Sequence, residues 1–100
     1  MEDIENKNVD YFAMAEEYFK AKKYTSASFL YLKTLKIKMA EKTGVISDLE
    51  DFKHLSEASG YKFTEDEIKR IGVILNIVLE KGRVSKEDCE FSRKLVLRYV

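Results

Sequence analysis

Residues 11–35 read YFAMAEEYFKAKKYTSASFLYLKTL, and their spacing decides the fold. Two helical patterns meet there at a basic joint, Lys20, Lys22 and Lys23, and the second pattern brings small residues such as Ala27 where another helix can approach closely. The stretch predicts an antiparallel helical hairpin. It matches no catalytic motif.

The first pattern predicts a helix over residues 4–22 with Val9, Phe12, Ala15 or Glu16, and Phe19 on one face. The second predicts a helix over 25–42 that places Ala27, Leu30, Tyr31, Thr34 and Leu35 together. It also carries Phe29, Leu32, Ile37 and Met39 on other sides, so it must be covered on more than one side. Gly44 is expected to stop it. Downstream, Ser47/Glu50 and Thr64/Glu67 have capping-box spacing, and Ser85/Asp88 repeats it with aspartate. In that pattern a hydroxyl and a carboxylate satisfy N–H groups that have no partner within the helix. Three more helices follow: one ending near Ser59 and Gly60, one running to Lys81 with Gly82 as its stop, and one carrying Cys89, Ser92, Val96 and Tyr99 on a face. The expected fold is therefore all-α, an up-and-down bundle of four to five helices centred on Leu30, Leu35, Ile71, Leu75 and Val78.

The fourth segment contains IGVILNIVL, apolar at nearly every angle and rich in β-branched residues. Local propensity would suit a strand, but the capping box and the lack of a second strand favour helix. A helix apolar all round belongs at a domain centre or in an interface. The expectation is a two-fold homodimer whose interface includes Ile74, Ile77 and Asn76.

The chain has 100 residues, 45% of them hydrophobic, enough for one core, and residues 1–100 are expected to form a single domain. One cysteine excludes an internal disulfide framework or a multi-cysteine zinc module. The N-terminal stretch MEDIENKNVD is acidic and lacks the pattern of a signal peptide, and no apolar run reaches bilayer length. A cytoplasmic protein without membrane contact is expected. Net charge is zero but segregated, at −5 over residues 1–19 and +6 over 20–42. Acidic and basic helices side by side account for this. A different reading makes Lys20, Lys22, Lys23, Lys33 and Lys36 an anion-binding set facing RNA phosphate.

His54, the only histidine, neighbours Glu50 and Glu57 on its helix, a weak candidate for a divalent ion and a better one for a solvated face. Cys89 has no histidine near it in sequence and reads as a small buried hydrophobe. Phosphate-binding, dinucleotide, nucleophile-elbow and zinc-protease motifs are absent from the sequence. No catalytic residue, cofactor or metal is expected, and the protein is not expected to be an enzyme.

Ala15, Tyr18, Phe19, Tyr24, Ala27 and Tyr31 have spacings that resemble one tetratricopeptide unit, with Thr34 where that pattern prefers alanine. The layout of the whole chain resembles the HEPN-like helical domains of prokaryotes. There the hairpin, carried here by Ala15, Glu16, Phe19, Tyr24 and Ala27, leads to a lysine-rich second helix, a His-Leu segment (His54 and Leu55) and a glycine turn at Ser59, Gly60 and Tyr61. That resemblance implies a four-helix core that often dimerises and commonly accompanies a nucleotidyltransferase partner. The ribonuclease members of that superfamily carry an arginine shortly before a histidine, where this chain has Ser47, Asp48 and Leu49 ahead of His54. Their catalysis is therefore not implied. The functional expectation is a small non-catalytic helical interaction module, acting through a protein partner or through homo-oligomerisation. The alternative is an RNA-binding or RNA-processing accessory protein that uses the basic block from Lys20 to Lys42.

Overall fold

The computed structural model describes residues 10–43 and 52–99, with only the backbone described at 43 and 52–55. The fold is all-α. Five helices follow in order: α1 (Tyr11–Lys20), α2 (Tyr24–Thr43), α3 (Phe52–Ser59), α4 (Glu65–Leu79) and α5 (Lys86–Tyr99), with no strand among the described residues. Val9, the Ser47/Glu50 capping pair and the Gly44 stop lie outside the described residues.

The helix starts follow the capping chemistry. Asp10 caps α1 by accepting from the Ala13 N–H at 3.0 Å. Thr64 and Glu67 form a complete capping box on α4, at 3.1 and 2.9 Å. Ser85 accepts from the Asp88 N–H at 3.1 Å where α5 begins. The helix ends differ from expectation. α1 and α4 finish in the same motif, a left-handed residue that, with the residue after it, donates back into the last turn. In α1 the left-handed residue is Lys22 (φ 63°), with Lys22 N–H to Phe19 O at 3.0 Å and Lys23 N–H to Tyr18 O at 2.8 Å. In α4 it is Lys81 (φ 61°), with Lys81 N–H to Val78 O at 3.1 Å and Gly82 N–H to Ile77 O at 2.8 Å. Gly82 thus follows the left-handed position instead of occupying it. Its role is close approach: a Cβ there would stand 3.0 Å from Ile77 Cγ2 and 3.3 Å from the Ile77 carbonyl oxygen.

α2, 20 residues long, is the centre. Ala27, Ser28, Leu30, Tyr31, Leu32, Thr34, Leu35 and Met39 are all buried on it, and α1, α3, α4 and α5 pack around it. The α1–α2 hairpin is antiparallel, as the ring contacts Phe12 with Tyr31 (6.0 Å) and Phe19 with Tyr24 (5.8 Å) require. Buried Ala15 and Ala27 let its two backbones approach. At its N-terminal end α2 meets the α4–α5 turn, where Val84 N–H donates to Thr25 Oγ at 2.9 Å. At its C-terminal end Lys42 lies 5.5 Å over the ring of Tyr61, in the segment leading into α4. α4 therefore runs antiparallel to α2, and α5 runs parallel to it.

Leu30, Leu35, Ile71 and Leu75 are buried as expected, and Val78 is half-buried. Ile74 is a correction. Expected at a dimer interface, it is 0% exposed within the chain itself. The reason is helical spacing: Ile74 follows Ile71 by three residues and precedes Val78 by four, so it shares their face. Ile77 is half-buried and Asn76 is exposed. The aliphatic surface that α4 leaves in water is Val73 and Leu79, 55% and 59% exposed.

Candidate functional site

The packing around α2 leaves a gap between α1 and the end of α4. Met14 and Tyr18 of α1, Ser26, Phe29 and Leu30 of α2, and Val78 of α4 line an open apolar groove of about 320 Å³. Its outer wall is Met14, 41% exposed, and Ser26, Phe29 and Leu30 of α2 form its floor. The spacing of Met14 and Tyr18, one helical turn apart, sets both on the same edge of α1.

Lysines border this groove at both ends. Lys33 Nζ sits 4.5 Å from the Tyr11 ring centroid and 5.9 Å from that of Phe29. Lys23 Nζ sits 6.0 Å from the Tyr18 ring centroid. Such stacking keeps the ammonium against the ring face while its outer side stays hydrated. At the second end the Thr25–Val84 hydrogen bond joins the first turn of α2 to the α4–α5 turn. Lys22 and Lys23 precede that turn of α2, Lys81 and Arg83 stand in the α4–α5 turn, and all four are exposed. Glu17 and Glu80 are the exposed carboxylates nearest in sequence to these turns.

The five lysines expected to form one anion-binding set are divided. Lys22 and Lys23 lie at the turn, Lys20 contributes to the field at Glu16, Lys33 rests on the rings of Tyr11 and Phe29, and Lys36 is half-buried one turn further along α2. What the sequence reading missed is the hydrogen bond between Thr25 and Val84, which brings the segment after Lys22 and Lys23 to the turn that holds Lys81 and Arg83. The Lys-Gly-Arg following α4 is a visible basic turn, but only the tertiary hydrogen bond brings it to the first one.

A second polar constellation crosses the middle of the molecule. The Glu16 carboxylate accepts from Arg93 Nε at 2.7 Å and Nη2 at 3.1 Å, and also from the Tyr31 hydroxyl. This joins α1, α2 and α5 through one carboxylate. Hydrogen bonding from Arg93 holds Glu16 below its ordinary value, against the opposing effect of burial. Burial, followed by the hydrogen bond to Glu16, pushes the Tyr31 phenol up. Both groups stay in their ordinary states at neutral pH, and the carboxylate is held by Arg93 Nε and Nη2 and by the Tyr31 hydroxyl, so the cluster acts as a clamp. Cys89 is buried, and burial raises its thiol. That is the opposite of nucleophile activation.

At the far end of α2 a hollow of about 480 Å³ is lined in part by Glu57 and Glu65 and by Lys62 and Lys69, charges of both signs. Tyr61 stacks on Tyr99 at 4.1 Å, and Arg98 grips Glu67 at 2.7 and 3.2 Å, so this end is braced by its own side chains. Glu50 and the side chain of His54 lie outside the described residues, and Glu57 is exposed. No group of three or more potential metal-ligating side chains forms among the described residues. No helix among them is long and apolar enough to cross a membrane. No protein-family model, curated protein or solved structure matches the chain.

Proposed function

We propose that this protein is a small non-catalytic helical interaction module that docks a protein partner in the groove between α1, α2 and the end of α4. The observation that carries this reading is the open apolar groove, with Met14 41% exposed at its rim. Apolar grooves of this kind accept the apolar face of an incoming helix. In the HEPN-like reading that partner is a nucleotidyltransferase. The non-catalytic part of the proposal rests on the sequence, which carries no recognised catalytic motif.

The RNA reading draws less support. Its basic block runs from the first turn of the bundle to Lys42, which lies against Tyr61 at the other end of α2, roughly 30 Å away at 1.5 Å per residue. Lysines so divided do not make one phosphate track. The homodimer reading retains Val73 and Leu79, exposed on α4, as its support.

Affinity capture with the native chain and with Met14→Glu, each compared after ribonuclease treatment, tests the proposal. A protein retained by the native chain, resistant to ribonuclease and lost with Met14→Glu is the expected result. Equal retention by Met14→Glu, or retention that ribonuclease abolishes, refutes it. Sedimentation equilibrium of Val73→Glu beside the native chain tests the dimer: a native dimer that becomes a folded monomer would support it.

A further inference from the structure

The groove and the two basic turns are continuous. Val78, which lines the groove, gives its carbonyl to Lys81 N–H, and Tyr18, which also lines it, gives its carbonyl to Lys23 N–H. Thr25, another lining residue, is the acceptor that joins the turns. An occupant lying along the groove therefore meets Lys22, Lys23, Lys81 and Arg83 as it leaves one end. It meets Lys33 near the other, where that lysine rests on Tyr11 and Phe29.

Resting on the docking reading above, we infer that the occupant is an acidic–apolar peptide segment of a partner protein. Its apolar residues, at helical spacing, enter between Met14, Phe29 and Val78, and its carboxylates meet the paired basic turns. Charge complementarity carries the inference. Lys23 and Lys33 rest on the rings of Tyr18 and Phe29 in the groove lining, and exposed Lys22, Lys81 and Arg83 stand on the turns beside it, with Glu17, Glu80 and Glu87 the exposed carboxylates on the same segments. Cations at helix C-termini complement the helix dipoles of α1 and α4, which accounts for a lysine near each end.

The test is selection of a random peptide library on the immobilised full-length chain, followed by titration of the enriched peptide and its Glu→Gln counterpart. Enriched peptides should combine apolar residues at helical spacing with Asp or Glu at a flank, and Met14→Glu should abolish their binding. Lys22→Glu with Lys81→Glu should weaken binding about tenfold at physiological salt, and lower salt should strengthen binding to the native chain. Lys22→Gly with Lys81→Gly removes the same charges and relieves the backbone, so this pair decides the matter if the glutamate pair does not fold. Peptides that need Met14 but show no acidic bias leave the docking reading standing and overturn this inference. Selection that yields nothing sensitive to Met14→Glu overturns both. An oligouridylate that binds and is lost with the charge reversals, while no peptide binds, makes the occupant RNA. A native dimer dissolved by Met14→Glu makes it a second copy. Either result overturns the inference.

Discussion

Replacing Ile74 by alanine separates the observed rotation of α4 from the alternative in which that residue faces outward. Ile74 is 0% exposed, between Ile71 at 1% and Leu75 at 5%. Truncating such a side chain removes its transfer free energy and leaves a cavity, at a cost of about 2–5 kcal/mol. Taking ~3 kcal/mol, and about 4–8 °C per kcal/mol for a domain near this size, Tm should fall by roughly 12–24 °C. Val73→Ala on the neighbouring position, 55% exposed, should change stability by no more than about 0.5 kcal/mol, because little packing is lost and alanine is the better helix former. Urea unfolding followed by far-ultraviolet circular dichroism measures both, and the difference between them is insensitive to the choice of reference state. Ile74→Glu should not fold at all, since an unpaired buried carboxylate costs much of the few kcal/mol that a small domain possesses. A folded, monomeric Ile74→Glu protein, or a Val73→Ala cost exceeding that of Ile74→Ala, would mean that α4 is turned by about one residue, near 100°.

Two further consequences concern the turn after α4 and the central clamp. Lys81→Gly should stabilise the protein by about 0.5–1 kcal/mol: relief of the left-handed strain exceeds the added unfolded-state entropy of glycine. Gly82→Ala should destabilise it by about 1–3 kcal/mol through the Ile77 contact at 3.0 Å. Reversal of those signs in urea midpoints would refute the assignment of strain to Lys81 and close approach to Gly82. For the clamp, Glu16 is held below its ordinary value of 4.5, chiefly by the hydrogen bond from Arg93. Its contribution is therefore complete above that value and is lost as pH falls through the lower folded value. Glu16→Gln should cost about 1 kcal/mol at pH 7, limited by solvent screening because the Arg93 side chain is 36% exposed. The same variant should lose less stability than the native chain as pH falls below 4.5. An unchanged pH profile would mean that the clamp contributes nothing.

Much of the fold is readable in local sequence because its signals are short-range. Thr64 with Glu67, and Ser85 with Asp88, carry their helix starts within four residues; the first pair forms the whole capping box, and the second only its hydroxyl half, the Asp88 carboxylate accepting from Arg70 instead. The apolar breadth of residues 24–43 likewise announces a helix with neighbours on several sides. The misreadings arise where two local rules compete. Gly82 looked like the left-handed stop because glycine prefers that role, yet close approach to Ile77 needs the glycine one position later and leaves Lys81 with the strain. Ile74 was assigned outward because the run around it is apolar at every angle, so sequence alone fixed no rotation. The clamp was beyond reach: Glu16 and Arg93 are separated by 77 residues, and no local pattern distinguishes that pair from any other surface charges.

The groove lies along the half of α2 that α1 folds against, as the ring pairs Phe12–Tyr31 and Phe19–Tyr24 place α1 beside residues 24–31. α3, α4 and α5 take the remaining sides, and α4 ends near the N-terminus of α2, where the Thr25–Val84 bond fixes its turn. Between α1 and that end the outer stripe of α2, Ser26, Phe29 and Lys33, has room beside it for one more element. Phe29 and Lys33 partly satisfy each other, with the ammonium 5.9 Å from the ring centroid. Lys33 reaches Tyr11 more closely still, and Met14 and Val78 both line the groove. A larger side chain at position 14 would narrow the space at a cost in helix propensity of no more than about 0.5 kcal/mol, since phenylalanine ranks only moderately below methionine. Met14→Phe is therefore an informative variant. If the groove is only a packing defect, Met14→Phe should raise stability and leave partner capture unchanged. If the groove is a binding surface, the same substitution should reduce capture while the fold remains intact, and a gain in stability with undiminished capture would refute the docking reading.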